Sequence, residues 1–310
     1  MTTLAAQPVV QVATFGLSTG AVFGLLALGL VLIYRTTGIM NFAHWAIGLL
    51  SVILYAIFTG AGVPALVTFF LSLPFSVASG VLAYRFVFRR IPRNNQIIVI
   101  LITLGIAQLY SSIGAMVLGF RTFTRLPVWL PTRDMQLFGI TVRTSEIVTV
   151  VVAFSVAFGF LIWFRKSETG RALRAVAQNR EAAMLAGIDD VKYSSIAWGI
   201  GSALAGLALL LVLPHAAGEQ GGLINTFDTT PLGTLLIPAF GAALLGGLVN
   251  LPMSLVGGLI FGLSREMLVL APQPWSNLRG TLAGLLIVLL LLLRTERFFA
   301  TKQELEALEA

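Results

Sequence analysis

The chain has no cysteine. Disulfides, thiolate metal sites and cysteine nucleophiles are therefore excluded, and the redox compartment is left undefined. Histidine is nearly as scarce, with two in the chain, His44 and His215, and no His/carboxylate cluster stands at metal-ligand spacing. The H-E-x-x-H and G-x-S-x-G patterns are missing as well, so neither zinc-protease nor serine-hydrolase chemistry has its groups in place. None of the three lysines, Lys166, Lys192 and Lys302, follows the glycine that a G-x-x-x-x-G-K-[ST] loop requires. Without that phosphate cradle the chain does not hydrolyse ATP by itself through a P-loop.

Charge is the other scarcity. Only 11% of the residues are charged while 57% are hydrophobic, and the mean hydropathy is +0.93. These values lie outside the range of soluble domains and mark an integral membrane protein. Its apolar runs approach the ~20 residues that a helix needs to cross a hydrocarbon core, unlike the short alternating segments of a β-barrel. The fold class expected is all-α, one polytopic transmembrane domain over residues 1–310 with its core at 12–298. The net charge of +7 is spread over short loops beside those runs, where it sets topology and gives no ground for nucleic-acid binding. No basic residue precedes the first run, so it reads as a permanent span and not as a cleaved signal.

Nine apolar segments are expected, at 12–34, 39–59, 64–84, 95–118, 146–164, 192–213, 232–250, 252–271 and 279–293. An outside N-terminus and a cytoplasmic C-terminus put fourteen of the twenty Lys and Arg on the cytoplasmic side, as the positive-inside rule asks. These are Arg35, the group Arg85 to Arg93, the six between Arg165 and Lys192, and Arg294, Arg297 and Lys302. Arg121, Arg125, Arg133, Arg143, Arg265 and Arg279 fall outside or at outer span ends. Small residues recur on several segments, including Gly16, Gly20, Gly24 and Gly29, and Gly199, Gly201 and Gly206, which lets helices approach closely in lipid. Glycines crowd the pair 232–250 and 252–271 around Asn250-Leu251-Pro252, so these two read as broken or re-entrant helices and the span count as eight to ten. The loop 119–145, with Pro127, Trp129, Pro131 and four arginines, reads as an ordered outer surface, and the tail 294–310 as a short cytoplasmic extension.

Polar groups inside such segments are costly and are functional candidates by default. Asn41 and His44 stand three residues apart on one helical face, either lining a pathway or serving as a helix cap and a satisfied buried imidazole. Arg265 and Glu266 are adjacent and near the outer end of their span, so snorkelling to the interface is expected. Glu219 and Asp228 fall in the outer loop 214–231 and read as solvated.

The longest polar interval between two apolar runs is Arg165 to Asp190. A helix is expected there, capped near Thr169 and ended near Gly187. Leu173, Val176, Ala177, Met184 and Ile188 recur at spacings of three and four, with Arg171, Arg174, Gln178 and Glu181 elsewhere on the surface. By periodicity alone, this amphipathic helix packs on its own protein, lies on lipid headgroups, or docks a soluble partner.

Here the residues carry a family likeness. Thr169-Gly170-Arg171-Ala172-Leu173-Arg174-Ala175, followed by Glu181-Ala182-Ala183 and then Gly187, resembles the EAA loop of bacterial ABC importer permeases. Residues 12 to 298 together are similar to the permease subunit of the branched-chain amino-acid (hydrophobic amino acid uptake) ABC importers. The supports are the Gly-rich first span ending Val31-Leu32-Ile33-Tyr34, the stretch Ile39-Met40-Asn41-Phe42-Ala43-His44, and Leu244-Leu245-Gly246-Gly247 followed by Gly257-Gly258-Leu259-Ile260-Phe261-Gly262. Trp45, Val249 and Met253 stand where that family usually has glycine, and the Ile-x-Leu-Pro ending of the general EAA pattern is missing after Ile196.

The resemblance implies a transport subunit that is not itself an enzyme, in the cytoplasmic membrane of a bacterium or archaeon. It implies two ABC ATPase subunits, which carry the ATP and Mg while this chain binds no cofactor. A homologous permease or second copy, and an extracytoplasmic solute-binding protein, complete the set. Arg171, Leu173, Arg174, Val176, Ala177, Glu181, Ala182, Ala183, Met184 and Gly187 would form the ATPase-coupling element, the apolar members in an ATPase cleft and the charged ones at its rim. Asn41 and His44 would be pathway residues. The solute stays open among branched-chain or other small amino acids, urea, short-chain amides and small organic acids. A secondary transporter or channel working without ATPases is the alternative of another class.

Overall fold

The computed structural model describes residues 2–91, 96–119, 126–130, 133–137, 140–216, 223–224 and 233–293. Every one of the nine expected apolar segments contains a helix. In chain order these are α1 (Thr2–Thr37), α2 (His44–Gly60), α3 (Ala65–Leu82), α4 (Gln96–Gly119) and α5 (Thr144–Lys166). Two short helices, α6 (Glu168–Gln178) and α7 (Arg180–Leu185), follow, and then α8 (Asp190–Ala216), α9 (Leu236–Leu245), α10 (Leu251–Met267) and α11 (Leu282–Leu293). Six helices are long and apolar enough to cross a membrane, while α2, α9 and α11 are shorter apolar helices, all among the described residues. The chain is an all-α polytopic membrane protein.

The bundle is built around α1. From Ala21 to Ile33 nearly every side chain of α1 is buried, as expected of a helix that is hydrophobic all round and surrounded by others. Its tightest neighbour is α10. Gly16, Gly20 and Gly24 recur every fourth residue and face Leu255, Gly258, Leu259, Gly262 and Leu263, so that a Cβ at Gly258 would meet the backbone of Gly20 and Gly24. Lipid tails are as apolar as leucine side chains, so helices associate in a membrane largely by such close van der Waals fit. Across the bundle α8 does the same: a Cβ at Gly201 would lie 3.1 Å from the carbonyl of Gly29, and one at Gly206 would crowd Ser51 and Ser76. Phe70 on α3, Leu101 and Leu109 on α4, Phe158 on α5 and Leu292 on α11 are exposed apolar residues on the periphery, the surface that lipid covers.

The expected break in the Gly-rich pair is present. At 1.5 Å per residue the ten residues of α9 rise ~15 Å, half of a ~30 Å hydrocarbon core. Gly247, at φ +63°, reverses the chain, and the Leu248 amide donates back to the Ala243 carbonyl at 2.9 Å, the six-to-one bond of a Schellman end. Asn250 then caps α10 by accepting from the Met253 amide at 3.1 Å.

Outside the helices, β1 (Leu126–Pro127) pairs with β4 (Leu223–Ile224), and β2 (Asp134–Leu137) with β3 (Ile140–Arg143), both antiparallel. The loop expected to lie outside is thus ordered in part: Trp129 donates to the Leu210 carbonyl at 2.9 Å, and Tyr55 to the Pro127 carbonyl at 2.8 Å. Arg93, Arg121, Arg125, Pro131, Glu219, Asp228 and the tail with Arg294, Arg297 and Lys302 lie outside the described residues.

Candidate functional site

The polar interval Arg165–Asp190 differs from its expected form. It holds two helices at an angle set by Asn179, not one, because two side chains cap within it. Ser167, not Thr169, starts α6, its Oγ accepting from the Gly170 amide at 2.9 Å, and Asn179 starts α7 by accepting from the Ala182 amide at 3.0 Å. Both are residues whose short oxygen reaches the free amides of a first turn. The stop at Gly187 is as expected: φ is +81°, and the Ile188 amide donates to the Ala183 carbonyl at 3.0 Å.

Burial divides the ten expected coupling residues. Leu173 and Val176 are buried in this chain's own core, with Ala183, because α6 turns its apolar stripe inward between α5 and α8. They are therefore unavailable to a partner's cleft, contrary to the expectation. Arg174 is not at a rim either: its guanidinium donates to the carbonyls of Phe164 and Arg165, which closes the C-terminal end of α5. Arg171 remains on the surface, 3.4 Å from Glu168. Glu181 and Ala182 are exposed, Ala177 is half-buried, and Met184 and Leu185 are 46% and 90% exposed. Leu185 is not among the residues that the apolar spacing singles out.

This unit is tied down at both ends. A Cβ at Gly170 would run into the Phe164 carbonyl, so α6 starts flush against the end of α5. On the other side Arg180 pairs with Asp190, a buried carboxylate in the first turn of α8 that also accepts from Ser194 at 3.4 Å.

Asn41 and His44 come together at the turn before α2. Asn41 Oδ1 accepts from the Ala43 amide at 3.0 Å, whereas its Nδ2 is buried without a partner. His44 is fully buried, with both ring nitrogens outside hydrogen-bond geometry. Its ring fills the space left by Gly29, where a Cβ would lie 2.7 Å from Cε1 and Nε2. His215, by contrast, is bonded through both nitrogens, to Ser18 at 3.2 Å and to the Leu211 carbonyl at 3.1 Å. A buried polar group without partners is costly, and an apolar group of similar shape restores what it loses. His44→Leu is therefore expected to leave folding unchanged or improved. A loss of transport in that variant, read as uptake per folded protein, would identify the imidazole as a pathway group; unchanged uptake would make it a space-filler.

The sequence reading missed a second charged centre, at the opposite end of α5. A cavity of about 410 Å³ is lined by Gln11, Phe15, Asp134, Arg143, Glu146, Glu266 and Arg279, among others. Glu266 was expected to snorkel. It is instead 2% exposed and ion-paired with Arg279, with Arg265 Nη1 3.9 Å from its other oxygen. The partner is thirteen residues away in sequence, in the turn Trp275–Gly280, so helical periodicity held no trace of it. The signal available was the rarity of acidic residues in apolar segments, which Glu146 and Glu266 share. Near the other end of α1, α5 and α10, a cavity of about 330 Å³ is lined by Arg35, Arg165, Arg174 and Asn250.

Of the three departures from the glycine pattern, Val249 and Met253 lie exposed at the α9–α10 turn, and the Trp45 ring packs so closely on Gly233 that a Cβ there would lie 3.2 Å from it.

Among known proteins, the family described as branched-chain amino acid transport system / permease component matches residues 12–292. The chain is 29% identical to the high-affinity branched-chain amino acid transport system permease protein BraD of Pseudomonas aeruginosa, over 80% of this chain and 82% of that one. It is 30% identical to the probable branched-chain amino acid transport permease protein LivH of Methanocaldococcus jannaschii, over 79% of this chain and 76% of the relative. The galactofuranose transporter permease protein YtfT of Escherichia coli is 26% identical over 92% of this chain and 80% of its own length. In fold, the chain is similar to PsaBC from Streptococcus pneumoniae in complex with Fab, at a TM-score of 0.51 and 16% identity, covering 96% and 94% of the two chains.

Proposed function

Since this chain belongs to the family of branched-chain amino acid transport system permease components, we propose that it is the membrane-spanning subunit of an ATP-driven importer for branched-chain or other small amino acids. Two ABC ATPases bind at the face formed by α6 and α7, a second permease completes the pathway, and an external binding protein delivers the solute. The chain sits in the cytoplasmic membrane with α6 and α7 inside, the side that holds most of its basic residues.

The observation that carries this reading is the α6–α7 unit. It is a rigid element presenting Ala182, Met184 and Leu185 to solvent while Gly170, Arg174 and the Arg180–Asp190 pair lock it to α5 and α8. A partner's closure can move such an element only as a body, and so moves the helices attached to it. A transporter without ATPases would not need it. Co-expression with ABC ATPases of this importer family, followed by affinity purification, is expected to yield a stable complex whose ATP turnover drives amino-acid uptake into proteoliposomes. Uptake driven by an ion gradient in the chain alone would replace this reading with the ion-coupled one.

A further inference from the structure

The charged cavity at the start of α5 carries groups of both signs. It brings together three carboxylates and two guanidinium groups, from α1, α5, α10 and the β2–β3 hairpin side by side with the turn after α10. Three ion pairs are already made, Asp134 with Arg143 at 3.8 Å, Glu266 with Arg279, and Glu266 with Arg265 at 3.9 Å. They are not closed, however. Glu266 Oε1 and Arg279 Nε are buried and make no hydrogen bond, and Glu146, 6% exposed, adds a further carboxylate. Acceptor and donor capacity of opposite sign are thus left over in one chamber, whose walls include the apolar Phe15 and Val269.

Buried charge of this kind is costly unless matched, and a ligand that brings both signs matches it without changing the net charge of the site. The volume falls in the range of ~300–1,000 Å³ usual for small-molecule sites. We infer that this chamber is a binding site for a zwitterionic α-amino acid, its ammonium held by Glu146 and Glu266, its carboxylate by Arg279, and its side chain against Phe15 and Val269. The inference rests on the proposed amino-acid importer and places the solute at the end of the permease opposite α6 and α7. It also gives the Glu266–Arg279 pair a role that a plain apolar contact could not fill.

The test titrates the full chain in lipid nanodiscs, by its tryptophan fluorescence, with L-leucine, with leucinamide (ammonium only) and with 4-methylpentanoate (carboxylate only). L-leucine is expected to bind, each analogue about tenfold or more weakly, since a charge-assisted bond is lost. Glu146→Gln, isosteric and outside the three ion pairs, is expected to weaken L-leucine by about tenfold, and Arg35→Gln at the other end of α1 to leave it unchanged. The double variant Glu266→Gln, Arg279→Gln removes this pair together, leaving Arg265, which is 29% exposed, to solvent, and is expected to abolish discrimination between L-leucine and its analogues. Equal binding of leucine and leucinamide, or of leucine by the parent and Glu146→Gln, overturns the site. ATP-driven leucine uptake by the complex is measured separately: uptake with an unchanged KM in Glu146→Gln sinks the chamber and spares the importer, whereas absence of uptake alongside leucine binding by the chain does the reverse.

Discussion

Gly258→Leu is expected to remove the folded chain from the membrane. In the α1–α10 contact the nearest neighbours of a Cβ at Gly258 are the amide and Cα of Gly24 and the carbonyl of Gly20. These are backbone atoms of a helix, so no rotamer change relieves the clash, and the two helices must separate along their length. Overpacking in a core costs ~1–3 kcal/mol where side chains can yield; here the cost is expected to exceed ~3 kcal/mol, since the small-residue fit is also the main attraction between the helices. Gly105→Leu on α4 is the control, because a Cβ there meets nothing within 4 Å. Size-exclusion profiles of detergent extracts distinguish them: a single sharp peak for Gly105→Leu and aggregate or no protein for Gly258→Leu. A monodisperse, full-yield Gly258→Leu chain would show that α1 and α10 are not held as described.

That contact was largely legible beforehand. Glycines spaced by four in the first span and again in the eighth announce close approach wherever the segments meet, and the crowd of glycines around Asn250 announced the broken pair α9 and α10. What spacing cannot state is which glycine faces which helix. The same limit applies to the charged groups. Arg265 and Glu266 were judged as neighbours in sequence, yet the partner that buries Glu266 is Arg279, supplied by a turn that follows the helix. In the polar interval, periodicity marked Leu173 and Val176 as one apolar face but could not say whether the face met a partner or the chain itself. The cap at Asn179 settled it, by swinging α7 away so that α6 lies against α5 and α8 while Met184 and Leu185 project.

From that division follows the other large effect. Under the proposed function, Leu185→Glu is expected to leave the chain folded and to stop ATP-driven uptake. The side chain is 90% exposed, so a charge there is solvated in the free permease and costs little; within an apolar cleft of an ATPase it loses that water without a partner. A penalty of ~3 kcal/mol for such burial corresponds to about a hundredfold weaker docking. Glu181→Lys, also exposed and one turn back on α7, reverses a charge at the margin of the same face and is expected to cost less, as rim charges generally do. Leu173→Glu supplies the opposite pattern. Its side chain has no exposure, so the charge is forced into the seat of α6 and the chain itself fails, with or without ATPases. The three variants separate docking from folding when each is scored for extraction yield, ATPase co-purification and uptake. If Leu185→Glu retains its ATPases and transports at the parent rate, α7 is not the docking tip, however rigidly Gly170, Arg174 and Asp190 hold it.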